Sequence, residues 1–224
     1  MQQHNNYVGV FGKLPSHGDF IDRGLASNFI TLWDEWLQRS ISASQSRLGN
    51  QWLEHYLVAP IWRFVLTSGV IDSNSYVGVL ASSVDSVGRY FPLTIVHKIP
   101  GQENPFRALS EPSWFQHAEN TAINALTNRD SIDETYRNLI SVKPNIRPAP
   151  KSQYQNQRGQ YAFLEIEAYT FSDLYSELLL KSRLNDMSAF SLWHQPGQNG
   201  QSHRYFESAG LPSPDTYTMM ISNS

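Results

Sequence analysis

Residues 8–24 read VGVFGKLPSHGDFIDRG, a short apolar run that breaks into glycine, proline and charge within a few positions. Residues 7–11 are β-branched and aromatic enough for a buried strand, and Gly12, Pro15 and Gly18 prevent that strand from continuing. The side chains between these residues are too polar for a core and too densely set for an ordinary solvated loop. The stretch therefore predicts a strand followed by a loop that is held in one conformation.

The composition is that of a globular chain with little charge. The chain has 224 residues, of which 40% are hydrophobic and 17% are charged. A single domain of this length buries roughly 70–75% of the surface that its unfolded chain exposes, so a sizeable core is possible. The net charge is −3, and the 17 Lys and Arg residues are scattered rather than clustered. Because this pattern gives no pull towards phosphates, we expect neither nucleic acid nor an anionic membrane as a partner.

The chain contains no cysteine, which excludes disulfides, thiolate nucleophiles and cysteine-ligated zinc or iron–sulfur sites. We expect no cofactor. The N-terminal residues MQQHNNY do not join a basic segment to an apolar one, and the longer apolar stretches are interrupted well short of about 20 residues. We therefore expect no membrane insertion and a cytoplasmic location.

Two helices are predicted directly after the opening loop. Ser27 is a suitable N-cap, and apolar side chains then recur at intervals of three and four, the spacing of one buried helical face. The predicted inward residues are Phe29, Leu32, Trp33, Trp36, Leu37 and Ile41. Gly49 is a suitable end for this helix. A second, shorter helix carries Trp52 and Tyr56 and ends before Pro60.

The middle of the chain predicts an antiparallel meander. The runs 61–67, 76–82 and 90–99 are rich in β-branched and aromatic residues, and Gly, Asn, Asp and Ser separate them. In the last run, LTIVHKI, the alternation places Leu93, Ile95 and Ile99 on one face of the sheet.

The second half of the chain predicts further helices and strands around one long loop. Residues 143–160 carry three prolines, many amides and no apolar period, so we expect a loop or a partly disordered segment there. The other predicted elements are helices at 112–126, 132–142 and 172–184 and strands at 161–166 and, as the final short strand, 190–193. In the first of these helices, Phe115, Ala118, Ala122 and Ala125 share one side. The whole pattern predicts one α/β layered domain over residues 1–224, with a mixed, largely antiparallel sheet and helices on its faces.

Familiar catalytic and metal-binding patterns are scarce in this sequence. Ser16, His17 and Asp19 lie together in the opening loop, but neighbours in sequence are poorly placed for a catalytic triad, and no G-x-S-x-G motif is present. Metal-ligand and phosphate-loop spacings are also missing, although His194 and His203 flank one glycine-rich loop and could meet. We predict no catalytic and no metal-binding residue. A metal-dependent hydrolase or phosphatase that uses His17 and Asp19 is the alternative.

Two further polar stretches interrupt apolar surroundings. Asp85 and Arg89 flank Gly88 just before a strand that looks buried, so Arg89 should pair with a carboxylate from Asp19, Asp22 or Asp85 itself. Such a pair is either a structural ion pair or part of a ligand contact. Near the C-terminus, Trp193 ends a predicted strand beside a glycine-rich loop. An indole in that position covers a core or serves as a binding platform.

Three motifs together resemble the TagF family of proteins associated with the bacterial type VI secretion system. The motifs are GKLPSHGDFI at 12–21, VDSVGRYFPLTI at 84–95, and SLWHQPG at 191–197 followed by GLPSPDTY at 210–217. The resemblance covers the chain from about Tyr7 to its end. It implies a post-translational repressor of type VI secretion that acts in the cytoplasm through the Fha scaffold protein of the system, and not a catalyst. Some family members are fused to a phosphatase domain, and we expect any phosphatase that works with this chain to be a separate protein.

A repressor of this kind must present a fixed surface that is partly apolar and partly charged, and a rigid loop provides one at low ordering cost. The resemblance and the motif residues together predict one cluster that binds a partner or locks the fold. Its members are Gly12, Lys13, Pro15, Gly18, Asp19, Phe20, Arg23, Asp85, Arg89 and Trp193.

Overall fold

A computed structural model gives the fold of the chain. It describes residues 7–99, 104, 106–109, 112–142, 152–157, 161–166, 170–186, 188–197 and 202–222. The strands are β1 (Val8–Gly12), β2 (Ile21–Arg23), β3 (Trp62–Leu66), β4 (Ser75–Ala81), β5 (Leu93–Ile99), β6 (Ser152–Gln157), β7 (Tyr161–Ile166), β8 (Phe190–Gln195) and β9 (Arg204–Ala209). The helices are α1 (Ser27–Leu48), α2 (Trp52–Leu57), α3 (Phe106–Leu109), α4 (Pro112–Thr127), α5 (Ile132–Ile140), α6 (Phe171–Asp186) and α7 (Pro214–Ser222).

Seven of the strands form one sheet in the order β2-β1-β5-β4-β3-β8-β9, and β6 and β7 form a separate hairpin. Every ladder of the sheet is antiparallel, and β3, β4 and β5 form the predicted meander. Within the described residues, parallel pairing is limited to a single bridge between Phe190 and Gly210. The predicted α/β class with a largely antiparallel sheet is confirmed. The sheet was also expected to be mixed, and this bridge is the parallel pairing found in the described residues.

Helices cover both faces of the sheet because its central strands are apolar on both sides. On β5, Leu93, Ile95 and Ile99 belong to the core beneath α4 and α5, as the alternation predicts. Val96 faces the other way and belongs to a second core beneath α1, α2 and α7. A strand that is apolar on both faces is stable only between two covering layers. The result is a three-layer arrangement with the sheet in the middle.

Helix α1 confirms the predicted long helix. Trp33 and Trp36 are buried against the sheet, and Gly49 ends the helix with a φ of 54°. The opposite side of the helix is polar. Neither α1 nor any other helix in the described part of the chain is long and apolar enough to cross a membrane.

Two details of the α1 prediction are wrong. Ser27 is the first helical residue, and Ala26 holds the N-cap position, where its carbonyl accepts the N–H of Ile30 but its methyl side chain cannot form a capping hydrogen bond. Leu32 is 41% exposed, since it lies beside the buried stripe rather than in it. That stripe continues with Ser44. Its hydroxyl can be buried there because it accepts the indole N–H of Trp52 at 2.8 Å.

The C-terminal half departs from the prediction in two places. The predicted loop at 143–160 contains strand β6, and the other residues of that stretch lie outside the described part of the chain. Backbone pairing with β7 supports β6, so no apolar alternation was needed for it to form. The strand at 190–193 extends to Gln195 and is not the final element, because β9 and α7 follow it. Strand β9 is an edge strand with half-buried side chains, which leaves little hydrophobic pattern in its sequence.

Candidate functional site

Two loops meet at the end of the sheet where β1 and β4 stop and β5 begins. The first loop, residues 13–20, follows β1, and the second, residues 82–92, connects β4 to β5. They are neighbours because β5 pairs with β1 on one side and with β4 on the other. We call these two segments the double loop.

Hydrogen bonds join the two segments of the double loop to each other and to α2. The backbone N–H of Ser86 donates to the carbonyl of His17 at 2.9 Å, and the hydroxyl of Ser83 donates to the carbonyl of Lys13 at 2.6 Å. The buried hydroxyl of Tyr56 accepts the N–H of Ser83 and donates to its carbonyl. The double loop is therefore fixed along its backbone, as expected for a loop held in one conformation.

The carboxylate of Asp85 lies at the centre of the double loop and has no exposed surface. Its Oδ2 accepts hydrogen bonds from Lys13 Nζ at 2.5 Å and from Arg89 Nε at 2.7 Å. Its Oδ1 accepts the backbone N–H groups of Val87 and Arg89 at 3.1 and 2.8 Å. Four donors from three residues thus surround one buried carboxylate.

This environment keeps Asp85 ionised. Burial alone would raise the pKa of Asp85, but the hydrogen bonds from Lys13, Arg89 and Val87 outweigh burial and hold that pKa well below its ordinary value of 3.8. A buried charge with this many partners fixes geometry, and removal of one partner is costly. The carboxylate therefore locks the first segment of the double loop to the second.

The outer surface of the double loop is exposed and carries both charge and apolar area. Arg89 reaches outward from Asp85, donates to the carbonyl of Gly18 and approaches the carboxylate of Asp19 at 3.4 Å. The ring of Phe20 is half-exposed and lies 4.8 Å from Lys13 Nζ. Val87 is 67% exposed. We call Asp19, Phe20, Val87 and Arg89 the double-loop surface.

Two glycines allow the backbone to take this course. Gly12 has a φ of +126°, and a Cβ on it would lie 2.0 Å from the carbonyl oxygen of Pro92, where no side chain fits. Gly88 has a φ of +87° and lets the second segment turn between Asp85 and Arg89. The glycine, proline and charge that interrupt the first strand are thus the residues from which the double loop is built.

The sequence profile of one protein family, described as the TagF N-terminal domain, type VI secretion system-associated, matches residues 9–142. This match covers more than half of the chain and includes both segments of the double loop. The chain belongs to the TagF N-terminal domain family.

One solved structure is similar to this TagF family member over nearly its whole length. It is a crystal structure of PA0076 from Pseudomonas aeruginosa PAO1, with a TM-score of 0.80 and 28% sequence identity. The alignment covers 97% of this chain and 94% of PA0076. No curated protein matches the chain. Association with the type VI secretion system therefore follows from the family.

Most of the motif residues predicted to cluster in this TagF chain do lie together. The residues that belong to the double loop or its base are Gly12, Lys13, Pro15, Gly18, Asp19, Phe20, Asp85 and Arg89. They separate into a buried layer around Lys13 and Asp85 and an exposed layer. Of the three carboxylates proposed as partners of Arg89, Asp85 and Asp19 bind it, and Asp22 does not.

Trp193 and Arg23 were wrongly predicted to lie in this cluster. Trp193 is fully buried on β8, and its indole packs against Trp33 and Trp36 of α1, which makes it part of the core and not a platform. Arg23 lies on β2, where its guanidinium pairs with Asp133 of α5 at 2.8 Å. The third motif of the TagF resemblance therefore contributes to packing rather than to the double loop.

Two contributors to the site were missed by the sequence reasoning. Val87 is an exposed apolar residue inside the polar turn between Asp85 and Arg89. An apolar side chain between polar residues and a glycine is visible in the sequence and could have indicated a binding residue. Tyr56 had no such signal, because its contact with Ser83 depends on where α2 lies against the sheet.

The residues of the hydrolase alternative make separate contacts. His17 Nδ1 lies 2.9 Å from the hydroxyl of Ser16, whereas the side chain of Asp19 is almost fully exposed beside Arg89. In the part of the chain that the structure describes, no three His, Asp or Glu side chains are placed to hold a metal ion. His194 and His203 do meet, with ring nitrogens 3.1 Å apart.

Proposed function

We propose that this chain is a non-catalytic accessory protein that represses type VI secretion after translation, by binding a component of the apparatus in the cytoplasm. The expected partner is an Fha-type scaffold protein. Membership of a type VI secretion-associated family supports the process. The observation that carries the binding role is the exposed apolar area of Phe20 and Val87 on loops that a buried carboxylate holds rigid.

The double-loop surface has the properties of a protein-binding site. Phe20 is 49% exposed, and its ring is held in place by an edge-to-face contact with Phe91 at 4.7 Å. A rigid aromatic side chain loses little conformational entropy when it is buried by a partner, and aromatic residues are frequent among those that dominate binding energy. Phe20 is therefore the expected anchor, with Val87 extending the apolar area.

Charges of both signs flank that anchor. Asp19 is almost fully exposed, and the guanidinium of Arg89 is about half-exposed even though it contacts Asp85. Such an arrangement selects the orientation of a partner with complementary charges more than it adds affinity. Lys13 is not one of these charges. Because it is buried beneath Phe20, it supports the surface without being available to the partner.

The test is the capture of a purified Fha-type scaffold by the immobilised chain, with wild type compared to Phe20→Asp and Ile140→Asp. The two side chains are matched in exposure, at 49% and 48%, but Ile140 lies at the end of α5. We expect Phe20→Asp to weaken capture by at least about tenfold, as loss of an anchor residue does, and Ile140→Asp to retain it. Thermal unfolding of both variants checks that they are folded.

A second substitution separates loss of contact from loss of loop structure, because Phe20 also packs on Phe91. Val87→Asp changes a side chain that is more exposed than Phe20, and it should also weaken capture. If wild type and both double-loop variants capture the scaffold equally, the binding surface lies elsewhere. If the wild-type chain captures neither the scaffold nor another component of the apparatus, the proposed function is wrong.

A further inference from the structure

Strand β9 is the last strand of the seven-stranded sheet, and its outer side pairs with no other strand in the described part of the chain. Its inner side pairs with β8 along its whole length. Edge strands of native proteins are commonly protected by lysine, by proline or by a covering element. The sequence of β9, RYFESA, contains neither lysine nor proline, and Tyr205 and Ala209 are exposed. The strand is therefore an open edge of the sheet.

The hydrogen bonds of β8 show which backbone groups of β9 point outward. The carbonyl of Phe190 on β8 accepts the N–H of Thr67, on the β3 side, at 3.0 Å. Because the direction of these groups alternates along a strand, the β8 residues that bond to β9 are the alternate ones, Ser191, Trp193 and Gln195. Their partners on β9 are Ser208, Phe206 and Arg204. The remaining β9 residues direct their N–H and C=O groups away from the sheet. We call these three residues, Tyr205, Glu207 and Ala209, the open row.

An apolar pocket of about 200 Å³ adjoins this edge, between β9 and α7. Its walls include Trp62, Phe206, Met219 and Met220. Met219 is 48% exposed, and methionine side chains adapt readily to the shape of a bound group. In a strand added beside β9, every second side chain would point to the face on which Phe206 lies. The pocket is therefore placed to receive an apolar side chain from such a strand.

The charge in the open row disfavours a second copy of this chain as the added strand. Glu207 lies in the middle of the row, and its carboxylate pairs with Arg183 of α6 at 3.3 Å. A two-fold antiparallel pairing of two β9 strands that used the whole open row would place the two copies of Glu207 opposite each other. Like charges directly opposite are destabilising, and a shifted register leaves at least one residue of the row outside the pairing. A segment of a different protein, with a basic residue opposite Glu207, avoids this conflict.

We propose that β9 binds an extended segment of a partner protein, which adds to the edge of the sheet as a further strand. The open row pairs with the backbone of the segment, and one of its apolar side chains enters the pocket beside Phe206. The neighbouring residue of the segment points to the other face of the sheet, where a basic side chain lies opposite Glu207. This site does not depend on the proposed repressor function, because it shares no residue with the double-loop surface.

The first test is panning of a phage library of random linear dodecapeptides on the immobilised chain, with binding of the selected peptides measured by fluorescence anisotropy. Peptides that add to β9 should share an apolar residue next to a basic one. Tyr205→Pro removes an N–H of the open row, and proline is tolerated on an edge strand where its nitrogen faces away from the sheet. Tyr205→Thr also removes the tyrosine side chain but keeps that N–H. We expect Tyr205→Pro to bind the peptides at least about tenfold more weakly than Tyr205→Thr does, because main-chain hydrogen bonds supply much of the affinity in strand addition.

Hydrogen exchange followed by NMR provides a readout that is specific to strand addition. The amides of the open row should exchange more slowly when a selected peptide is bound, whereas those of Phe206 and Ser208, which already bond to β8, should change little. Met219→Asp tests the pocket, and Ile140→Asp is its matched control, because both side chains are 48% exposed. Peptide binding should be weakened at least about tenfold in Met219→Asp and retained in Ile140→Asp.

The proposal is overturned if panning yields no binding peptide, or if every selected peptide binds Tyr205→Pro as tightly as Tyr205→Thr. Unchanged exchange of the open-row amides in the presence of peptide also overturns it. So does a wild-type chain that is dimeric in light scattering and becomes monomeric in Tyr205→Pro, since a second copy would then cover the edge. Loss of all peptide binding in Phe20→Asp would place the peptides on the double-loop surface and contradict the proposal as well.

Discussion

Replacement of Lys13 by Met tests whether the buried carboxylate holds the double loop. Met keeps most of the length and apolar contact of the lysine side chain and removes the ammonium group that lies 2.5 Å from Asp85 Oδ2. The carboxylate would remain buried with the Arg89 side chain and two backbone N–H groups as donors. The substitution therefore isolates the contribution of one buried cation.

The expected loss is large for a single side chain in a loop. Removing one partner of a buried ion pair costs about 3–5 kcal/mol, and the donors that remain on Asp85 favour the lower end, about 3 kcal/mol. In a chain of this size, a loss of about 1 kcal/mol lowers the melting temperature by about 2–4 °C, so a decrease of about 6–12 °C is expected.

The pH dependence gives a second signature of the same contact. The pKa of Asp85 is lowered in the folded chain, so its contribution to the free energy of unfolding is complete above about pH 4 and is lost as the pH falls further. Without Lys13, burial is opposed by fewer hydrogen bonds, and the pKa of Asp85 rises. Because the pKa of Asp85 in the unfolded chain is the same in both proteins, the Lys13→Met variant should lose less stability than wild type between pH 7 and pH 3, so that the difference in the free energy of unfolding between the two narrows as the pH falls.

Urea denaturation followed by tryptophan fluorescence, from pH 7 down to pH 3, measures both effects. Arg23→Met is the matched control, because it also removes a cation paired with an aspartate, but at a pair whose side chains are 43% and 68% exposed. An exposed pair of this kind contributes less than about 1 kcal/mol. Equal losses in Lys13→Met and Arg23→Met would refute the conclusion that the buried pair locks the loop.

Two further predictions compare neighbouring positions. Trp33→Ala, which empties a fully buried site on α1, should cost about 3–5 kcal/mol by urea denaturation, whereas Leu32→Ala should cost less than about 1 kcal/mol because Leu32 is exposed. Gly12→Ala should prevent stable folding, since its Cβ would meet the carbonyl of Pro92, whereas Gly18→Ala should be nearly neutral by circular dichroism and thermal melting, because its Cβ approaches only a serine hydroxyl at 3.5 Å. Folded, stable Gly12→Ala protein would contradict the assignment of that turn.

The sequence predicted elements whose signal is local. Phe115, Ala118, Ala122 and Ala125 recur with the helical period, and all four are buried on α4. The period does not say how wide a buried stripe is, so Leu32 was assigned to the core of α1 and Ser44 was not. The burial of Ser44 depends on Trp52, whose indole donates a hydrogen bond to the Ser44 hydroxyl only because α2 packs against α1.

The candidate site was predictable only in part, because its central contact joins distant residues. Arg89 was expected to pair with a nearby carboxylate, and it does so with Asp85, four residues away. The contact between Lys13 and Asp85 spans 72 positions and depends on the register of β1, β5 and β4, which no local pattern specifies. Long-range packing also removed one predicted member from the site. Trp193 lies in the core because it packs against helix α1, which is far away in sequence.

The motif cluster was predicted either to bind a partner or to lock the fold. In the double loop, a buried layer serves the second role and an exposed layer is available for the first, and the exposed layer depends on the buried one. Lys13 and Asp85 are buried and cannot touch a partner, yet they hold the loops that carry Phe20. If the loops were free to move, only a fraction of molecules would present the binding conformation, and the apparent affinity would fall by that fraction. Under the proposed function, Lys13→Met should therefore weaken scaffold capture at temperatures where the variant is still folded, and by less than Phe20→Asp, which removes the contact itself. Capture that matched wild type in a destabilised Lys13→Met variant would mean that binding does not depend on the buried carboxylate.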